Sequence, residues 1–150
     1  MQVVVCKDAE EGAGIVTEEI LGALESKPDL VIGLATGSTP IGVYQQLGLA
    51  HSEGGVNFSA VRTFNLDEYC DLAADHPQSY RSFMRKHLFK DINIPEENIH
   101  FPPSEGPGLR EKCLQHEDEI HQAGGIDIQL LGIGSNGHIG FNEPTSSLAS

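Results

Sequence analysis

The sequence predicts an α/β fold, in which a mostly parallel, doubly wound sheet carries helices on both of its faces. Apolar runs of strand length alternate along the 150-residue chain with segments in which apolar residues recur at helical spacing. One run, residues 30–35, is apolar throughout, which is typical of a parallel strand covered on both faces. Polar motifs directly follow three of the apolar runs, and in such sheets ligands bind outside the carboxyl ends of the strands.

The N-terminal part of the chain predicts a strand followed by a helix. Residues 2–6, Gln-Val-Val-Val-Cys, predict the first strand. Asp8 can cap the following helix, and Glu11 completes a capping box with it. Apolar residues then recur at helical spacing, at Val16, Ile20 and Leu24. The segment Lys-Pro-Asp at residues 27–29 ends this helix.

The middle of the chain predicts two more strands, each followed by a polar segment. Residues 30–35 form the second strand, and a polar loop at residues 36–39 leads to Pro40, which suits the first position of a helix. Residues 61–66 form the third strand. The sequence Asp-Glu-Tyr at residues 67–69 then lies at its carboxyl end.

The C-terminal part of the chain predicts two helices and a fourth strand. A helix is expected at residues 79–89, and a polar amphipathic helix at residues 108–123. The segment between them, residues 91–107, holds four of the eight prolines and is expected to be irregular. Residues 127–133 predict a fourth strand, which is expected to be buried because it is apolar.

Composition limits the classes of function. The formal net charge of −13 would repel a nucleic acid, and no basic stripe offsets it. The three cysteines lack metal-ligand or redox spacing, so we expect reduced thiols and no metal site. The sequence contains no run of about 18 apolar residues, which is the length needed to span a membrane. The N-terminus also lacks a signal-peptide pattern, so we expect a cytoplasmic protein.

The loop at residues 36–39 is the first candidate site. Unpaired N–H groups and the helix dipole attract anions where a strand turns into a helix, and hydroxyl groups add donors. We therefore expect a phosphate group to be bound by Thr36, Gly37, Ser38 and Thr39. No Gly-Lys-Ser/Thr follows, so the loop is not a nucleotide P-loop. An ordinary strand-to-helix turn is the alternative.

Two further motifs carry acid–base residues. Asp67 follows a strand, where partial desolvation can raise the pKa of a carboxylate and make it a base. A helix cap or a solvated turn is the alternative there. His138 lies in a glycine-rich turn, and Glu143 can orient its ring and stabilise the charged form. Asn136 and Asn142 can hydrogen-bond the histidine or a substrate, and the alternative for Asn142 is that it simply holds the loop. The alternative for His138 is a purely structural histidine.

With these residues identified, the chain resembles the glucosamine-6-phosphate deaminase family over essentially its whole length. The resemblance rests on residues 33–40, on Phe-Asn-Leu-Asp-Glu-Tyr at 64–69, on residues 76–84, and on Leu-Gly-Ile-Gly-Ser-Asn-Gly-His-Ile-Gly-Phe-Asn-Glu-Pro at 131–144. It implies a Rossmann-like fold and an enzyme without a cofactor. The implied reaction converts glucosamine 6-phosphate and water into fructose 6-phosphate and ammonia, in the catabolism of N-acetylglucosamine. The implied partner is thus a small amino sugar phosphate, and a homo-oligomer is possible.

The resemblance also implies a role for each candidate residue. The loop at residues 36–39 would hold the sugar phosphate. His138 would move a proton during opening of the pyranose ring, supported by Glu143 and Asn136. Asp67 would then carry a proton from C2 to C1, which gives an enolamine and then a ketose imine that water hydrolyses.

The chain departs from the family at two points. Position 136 is Asn where many members have Asp, which weakens any Asp–His–Glu charge triad because an amide carries no charge. Family members are also longer. The resemblance therefore implies that residues 1–150 form a single incomplete domain, truncated at its C-terminus, with the lid and the basic phosphate ligands encoded further on.

Three alternatives stay open at this point. The first is 6-phosphogluconolactonase, which resembles the chain in fold and in the glycine–histidine motif; Phe-Asn-Glu-Pro at residues 141–144 and Asp-Glu-Tyr at residues 67–69 favour the deaminase. The second is a sugar-phosphate-binding fragment without turnover. The third is an incomplete domain that folds only with a partner or not at all.

Overall fold

A computed structural model of the chain describes residues 2–147. The helices are α1 (Ala9–Ser26), α2 (Ile41–Ser52), α3 (Tyr80–His87) and α4 (Leu109–Gln122). The strands are β1 (Val31–Leu34), β2 (Arg62–Asn65), β3 (Ile99–His100) and β4 (Ile128–Gln129). Two short 3-10 helices, Phe89–Asp91 and Glu96–Asn98, lie between α3 and β3. None of the helices within the described residues is both long and apolar enough to cross a membrane.

The four strands form one parallel sheet in the order β3-β2-β1-β4. Ile32 of β1 lies opposite Thr63 of β2 and, on the other side, opposite Ile128 of β4. The chain runs outward from β1 through β2 to β3 and then returns across the sheet to β4. The strand order therefore reverses between β1 and β4, and a crevice that can hold a ligand opens at such a reversal.

Helices cover both faces of the sheet, as a doubly wound fold requires. The larger core lies on the face of α1, α2 and α3, where Ile20, Tyr44 and Met84 are at most 1% exposed. The smaller core lies on the face of α4, where Val31 and Phe64 pack with Ala123. The Tyr44 hydroxyl donates to the carbonyl of Ala35, which fastens α2 to the end of β1. The predicted architecture is confirmed.

Most predicted helix boundaries are confirmed to within one or two residues. The Asp8 carboxylate accepts from the N–H of Glu11 at 2.9 Å and so caps α1. The Glu11 carboxylate reaches the N–H of Lys7, at 2.7 Å, rather than that of Asp8. The capping box thus closes one residue earlier than predicted. Pro40 likewise takes the N-cap position of α2 instead of its first turn.

Two strand predictions are wrong. Residues 2–6 form no strand, and Val3, Val4 and Val5 are 73%, 51% and 92% exposed. A run of valines needs a neighbouring strand to pair with, and no described strand lies beside this one. The fourth strand is shorter than predicted and only half-buried, with Leu131 and Ile133 exposed. It lies at the edge of the sheet, so it has a strand neighbour on one side only.

The segment predicted to be irregular contains β3, which pairs with β2 in parallel. This strand has two residues, Ile99 and His100. Alternation cannot be detected over so short a run, and prolines at positions 95, 102 and 103 flank it. The sheet is therefore one strand wider at this edge than the sequence predicts.

Candidate active site

A cavity of about 340 Å³ lies beyond the carboxyl ends of the strands, where the chain segments after β1, β2 and β4 meet. We call these segments the β1 loop (residues 36–39), the β2 loop (residues 66–69) and the β4 loop (residues 132–144). The predicted residues that line the cavity are Thr36, Gly37, Ser38, Thr39, Asp67 and His138. Asn136 and Glu143 do not line it but are hydrogen-bonded to one another behind His138. The three motifs are thus brought together.

The β1 loop presents backbone N–H groups to the cavity, as the predicted anion site requires. Gly37 has a φ of +111°, which is a conformation that residues with a side chain rarely adopt. Within the described part of the chain, no acceptor takes a hydrogen bond from the N–H of Gly37, Ser38 or Thr39. These N–H groups precede the N-terminus of α2, whose dipole adds positive potential. Among the residues of the described segment, 2–147, no lysine or arginine lines the cavity.

The two acidic residues of the β2 loop have different surroundings. Asp67 is half-buried and faces the cavity; burial raises the pKa of its carboxyl, and the charge of Glu68 raises it further. The Glu68 carboxylate instead accepts from the N–H groups of Tyr80 and Arg81, both at 2.9 Å, at the start of α3. The alternative of a helix cap thus describes Glu68, whereas Asp67 has the desolvated position of a base.

The β4 loop comes close to Asp67 because residue 140 is glycine. A Cβ built on Gly140 would lie 3.3 Å from Asp67 Oδ2 and 3.0 Å from Leu66 Cδ2, and its φ is +58°. A second glycine makes room for the histidine, because a Cβ on Gly134 would overlap the imidazole ring of His138. These two glycines allow the loop to place its imidazole and its backbone against the same cavity as the carboxylate.

His138 is held by Asn136 and, through it, by Glu143. The distance between His138 Nδ1 and Asn136 Oδ1 is 2.7 Å, and Asn136 Nδ2 donates to Glu143 Oε2 at 2.7 Å. An amide oxygen only accepts, so Nδ1 of the histidine carries a proton and Nε2 is the nitrogen free to exchange one. The predicted His–Glu pair is therefore a chain of three residues with the amide in the middle. Asn136 and Glu143 are exposed.

Asn142 holds the loop rather than the histidine. Its backbone N–H and carbonyl pair with those of Ile139 at 3.0 and 3.1 Å. This small antiparallel bridge closes the tip of the β4 loop between His138 and Glu143. Of the two interpretations of Asn142, its backbone contacts favour the structural one.

Sequence reasoning did not single out Tyr80, which lines the cavity from the first turn of α3. Burial raises the pKa of Tyr80, and Tyr69 raises it further, while a hydrogen bond with the side chain of Thr36 lowers it. The phenol is therefore neutral at physiological pH. Its only signal in the sequence is its place in residues 76–84, one of the segments that carry the family resemblance.

Metal-binding groups are not clustered in the described structure. Residues 2–147 contain no group of three or more His, Cys, Asp or Glu side chains placed to hold an ion. The three cysteines, Cys6, Cys70 and Cys113, are free thiols. The chemistry of this cavity is thus that of a carboxylate, an imidazole, hydroxyls and backbone N–H groups.

Several known proteins with similar sequences or structures are named glucosamine-6-phosphate deaminase or 6-phosphogluconolactonase. A protein of Hahella chejuensis named glucosamine-6-phosphate deaminase is 53% identical over 150 residues, which cover 100% of this chain and 57% of that protein. A solved structure described as a monomeric glucosamine-6-phosphate deaminase superimposes with a TM-score of 0.94 at 41% identity, covering 100% of this chain and 62% of the other.

A more distant structure shares the fold alone. The 6-phosphogluconolactonase of Thermotoga maritima superimposes with a TM-score of 0.74 at 24% identity, over 93% of this chain and 62% of that one. The chain thus spans less than two thirds of the length of these relatives. A family model described as glucosamine-6-phosphate isomerases/6-phosphogluconolactonase matches residues 7–141. Together with the arrangement of the three loops, this match shows that the chain belongs to the glucosamine-6-phosphate isomerase/6-phosphogluconolactonase family.

Proposed function

We propose that this chain carries the acid–base residues of a glucosamine-6-phosphate deaminase and that these residues belong to a single α/β domain. The reaction would convert glucosamine 6-phosphate and water into fructose 6-phosphate and ammonia, breaking a C–N bond in amino sugar catabolism. One observation carries the proposal. A desolvated carboxylate, Asp67, and an oriented imidazole, His138, share one cavity with an anion-binding loop.

Ring opening is the first step, and His138 is placed to assist it. Opening the pyranose moves a proton from the O1 hydroxyl to the ring oxygen O5. The Nδ1 proton of His138 is held by Asn136, so Nε2 accepts the O1 proton and returns it to O5. The hydrogen bond from Asn136 to Glu143 fixes the amide in the orientation that this tautomer needs. The sugar phosphate would meanwhile bind the N–H groups and hydroxyls of the β1 loop.

Proton transfer between two carbons follows, and it requires one base that returns the proton it has taken. The Asp67 carboxylate removes the proton from C2, and the electron pair forms a C1–C2 double bond. The C1–O1 π electrons move to O1, which takes a proton from the substrate's own ammonium group, and the product is an enolamine. The same carboxyl then protonates C1, which leaves an imine at C2. A raised pKa suits both halves of this step, since the group must be a good base and then a good acid. Water adds to the imine carbon, and ammonia leaves.

The rival activity, hydrolysis of 6-phosphogluconolactone, would use fewer of the acid–base groups in this cavity. Water attacks the lactone carbonyl in that reaction, and no proton leaves a carbon. A histidine can activate that water, but a desolvated carboxylate facing the substrate would have no step to perform. The close contact between Gly140 and Asp67, together with the raised pKa of Asp67, therefore favours the deaminase.

The two activities are separated by offering the chain both substrates. Ammonia and fructose 6-phosphate are measured from glucosamine 6-phosphate, acid release is measured from 6-phosphogluconolactone, and binding of each ligand is measured by calorimetry. Equal release of ammonia and fructose 6-phosphate, absent in Asp67→Asn, is the expected result. Lactone hydrolysis without ammonia release would contradict the proposal. Binding of glucosamine 6-phosphate without turnover would instead identify a sugar-phosphate-binding module.

A further inference from the structure

Three aromatic side chains pack together beside the cavity. The ring centroids of Tyr69 and Tyr80 are 4.6 Å apart, and Phe141 lies 5.4 Å from Tyr69 and 5.8 Å from Tyr80. The rings of Tyr80 and Phe141 are stacked, with an interplanar angle of 18°. The three residues come from the β2 loop, the start of α3 and the β4 loop. We call Tyr69, Tyr80 and Phe141 the aromatic clamp, because their rings connect three segments that are separate in the sequence.

The aromatic clamp is anchored by a single carboxylate. Glu68 accepts from the N–H of Tyr69 at 2.8 Å and from the N–H of Tyr80 at 2.9 Å. Both tyrosine backbones are therefore fixed to the same side chain at the N-terminus of α3. Phe141 has no such anchor and is 53% exposed, so the two tyrosine rings are its support.

Phe141 directly follows Gly140, which lies close enough to Asp67 that a Cβ built on it would be 3.3 Å from Asp67 Oδ2. Whatever holds Phe141 therefore also restricts the position of Gly140 beside the carboxylate. The ionisable groups near that carboxylate are Glu68 on its own loop and Tyr80 of the clamp, and His138 lines the same cavity. Burial raises the pKa of Tyr80, so its phenol is neutral at physiological pH and adds no charge beside the carboxylate.

We propose that the aromatic clamp of Tyr69, Tyr80 and Phe141 positions the β4 loop over Asp67 and keeps the carboxylate desolvated. Tyr80 and Phe141 are then positioning residues that act through Gly140, and they do not exchange protons with the substrate. The consequence for catalysis rests on the proposed deaminase function. The consequence for the environment of Asp67 does not, because it is a property of the unliganded chain.

The proposal is tested by following the ¹³C resonance of the Asp67 carboxyl group during a pH titration of the chain. Tyr80→Ala and Phe141→Ala are expected to move the pKa of Asp67 down toward the ordinary range of aspartate. Tyr80→Phe and Phe141→Tyr keep a ring at each position and are the matched controls, expected to leave that pKa raised. An unchanged Asp67 pKa in both alanine variants would overturn the proposal.

Two further measurements serve as controls, one for the folding of the variants and one for the deaminase activity. Circular dichroism and the spread of methyl resonances show whether each variant is folded; if Tyr80→Ala does not fold, Phe141→Ala decides the question, because its side chain is half-exposed. In the assay of ammonia release, kcat/KM of the alanine variants is expected to fall about tenfold at neutral pH, with the acid limb of the pH profile shifted to lower pH. An absence of ammonia release from every form would contradict the deaminase proposal, and the titration would still decide whether the clamp shields Asp67.

Discussion

The β1 loop and the β4 loop meet at the same cavity but offer it different groups. The β1 loop contributes backbone N–H groups, hydroxyls and the start of α2, and none of its residues titrates near neutral pH. The β4 loop contributes an imidazole that is held by an amide and, through it, by a carboxylate. The β2 loop between them adds the desolvated Asp67. Under the proposed function, binding and proton transfer are divided between the loops, so substitutions can separate the two.

The largest effect is expected from Asp67→Asn. An amide has nearly the same shape as the carboxylate but cannot take the proton from C2, so kcat for ammonia release should fall by about 10²–10⁴-fold. KM should change little, because the β1 loop is intact. Steady-state kinetics of the variant and of the unmodified chain measure both constants. A higher KM with an unchanged kcat would contradict this prediction, because it would mean that Asp67 binds the substrate and does not transfer the proton.

A smaller loss is expected when the amide that holds His138 is removed. Asn136→Leu takes away the acceptor at 2.7 Å from Nδ1 and should lower kcat by about tenfold or more, because the imidazole loses its preferred tautomer. Asn136→Asp is the matched control, since it keeps an oxygen at that place and should retain most of the activity. Similar kcat values for the two variants would show that position 136 does not orient the histidine.

Changes in the β1 loop should affect binding alone. Ser38→Ala removes one hydroxyl and leaves the backbone N–H groups in place, so KM should rise about tenfold, as for one hydrogen bond to a charged group. The value of kcat should stay within a factor of about two, because binding that is equal in the ground and transition states does not change it. Saturation kinetics check this directly. Equal losses in kcat and kcat/KM would instead show that the Ser38 hydroxyl makes an interaction that is formed only in the transition state.

The smallest effect concerns stability. The pKa of Asp67 is raised in the folded chain, so the unfolded chain ionises first as pH rises, and folding stability falls above the ordinary pKa of aspartate, about 4. Asp67→Asn should therefore be more stable than the unmodified chain at pH 7, with the difference vanishing near pH 3. The difference in stability between Ser38→Ala and the unmodified chain should be the same at both pH values, because both retain Asp67. Urea unfolding at pH 7 and pH 3 measures the free energies of unfolding. A lower stability of Asp67→Asn than of the unmodified chain at pH 7 would contradict this prediction.

The elements that the sequence predicted well are those specified by local signals. The start of α1 follows from the Asp8 cap, and β1 follows from an apolar run buried on both faces. Residues 2–6 and the fourth strand were overpredicted because a strand depends on its neighbours in space. The two-residue β3 was missed for the same reason, since only its pairing with β2 makes it a strand.

The candidate site was predicted at the level of loops but not of individual contacts. The sequence singled out Asp67 as the base but could not show where its neighbour Glu68 lies. The fold places Asp67 beside the cavity and Glu68 at the start of α3. The sequence likewise cannot show that Asn136 stands between His138 and Glu143, since all three lie within one short turn. Tyr80 was missed because an aromatic residue at the start of a helix usually packs in the core.

The central claim is that one carboxyl group, Asp67, moves the proton between C2 and C1. The most direct test is to let the chain convert glucosamine 6-phosphate in D₂O and to examine C1 of the fructose 6-phosphate by NMR, against a control without protein. A single carboxyl acts from one side, so all deuterium at C1 should occupy one of its two positions, and Asp67→Asn should form no labelled product. Deuterium in both positions, or the same labelled product from Asp67→Asn, would contradict the account.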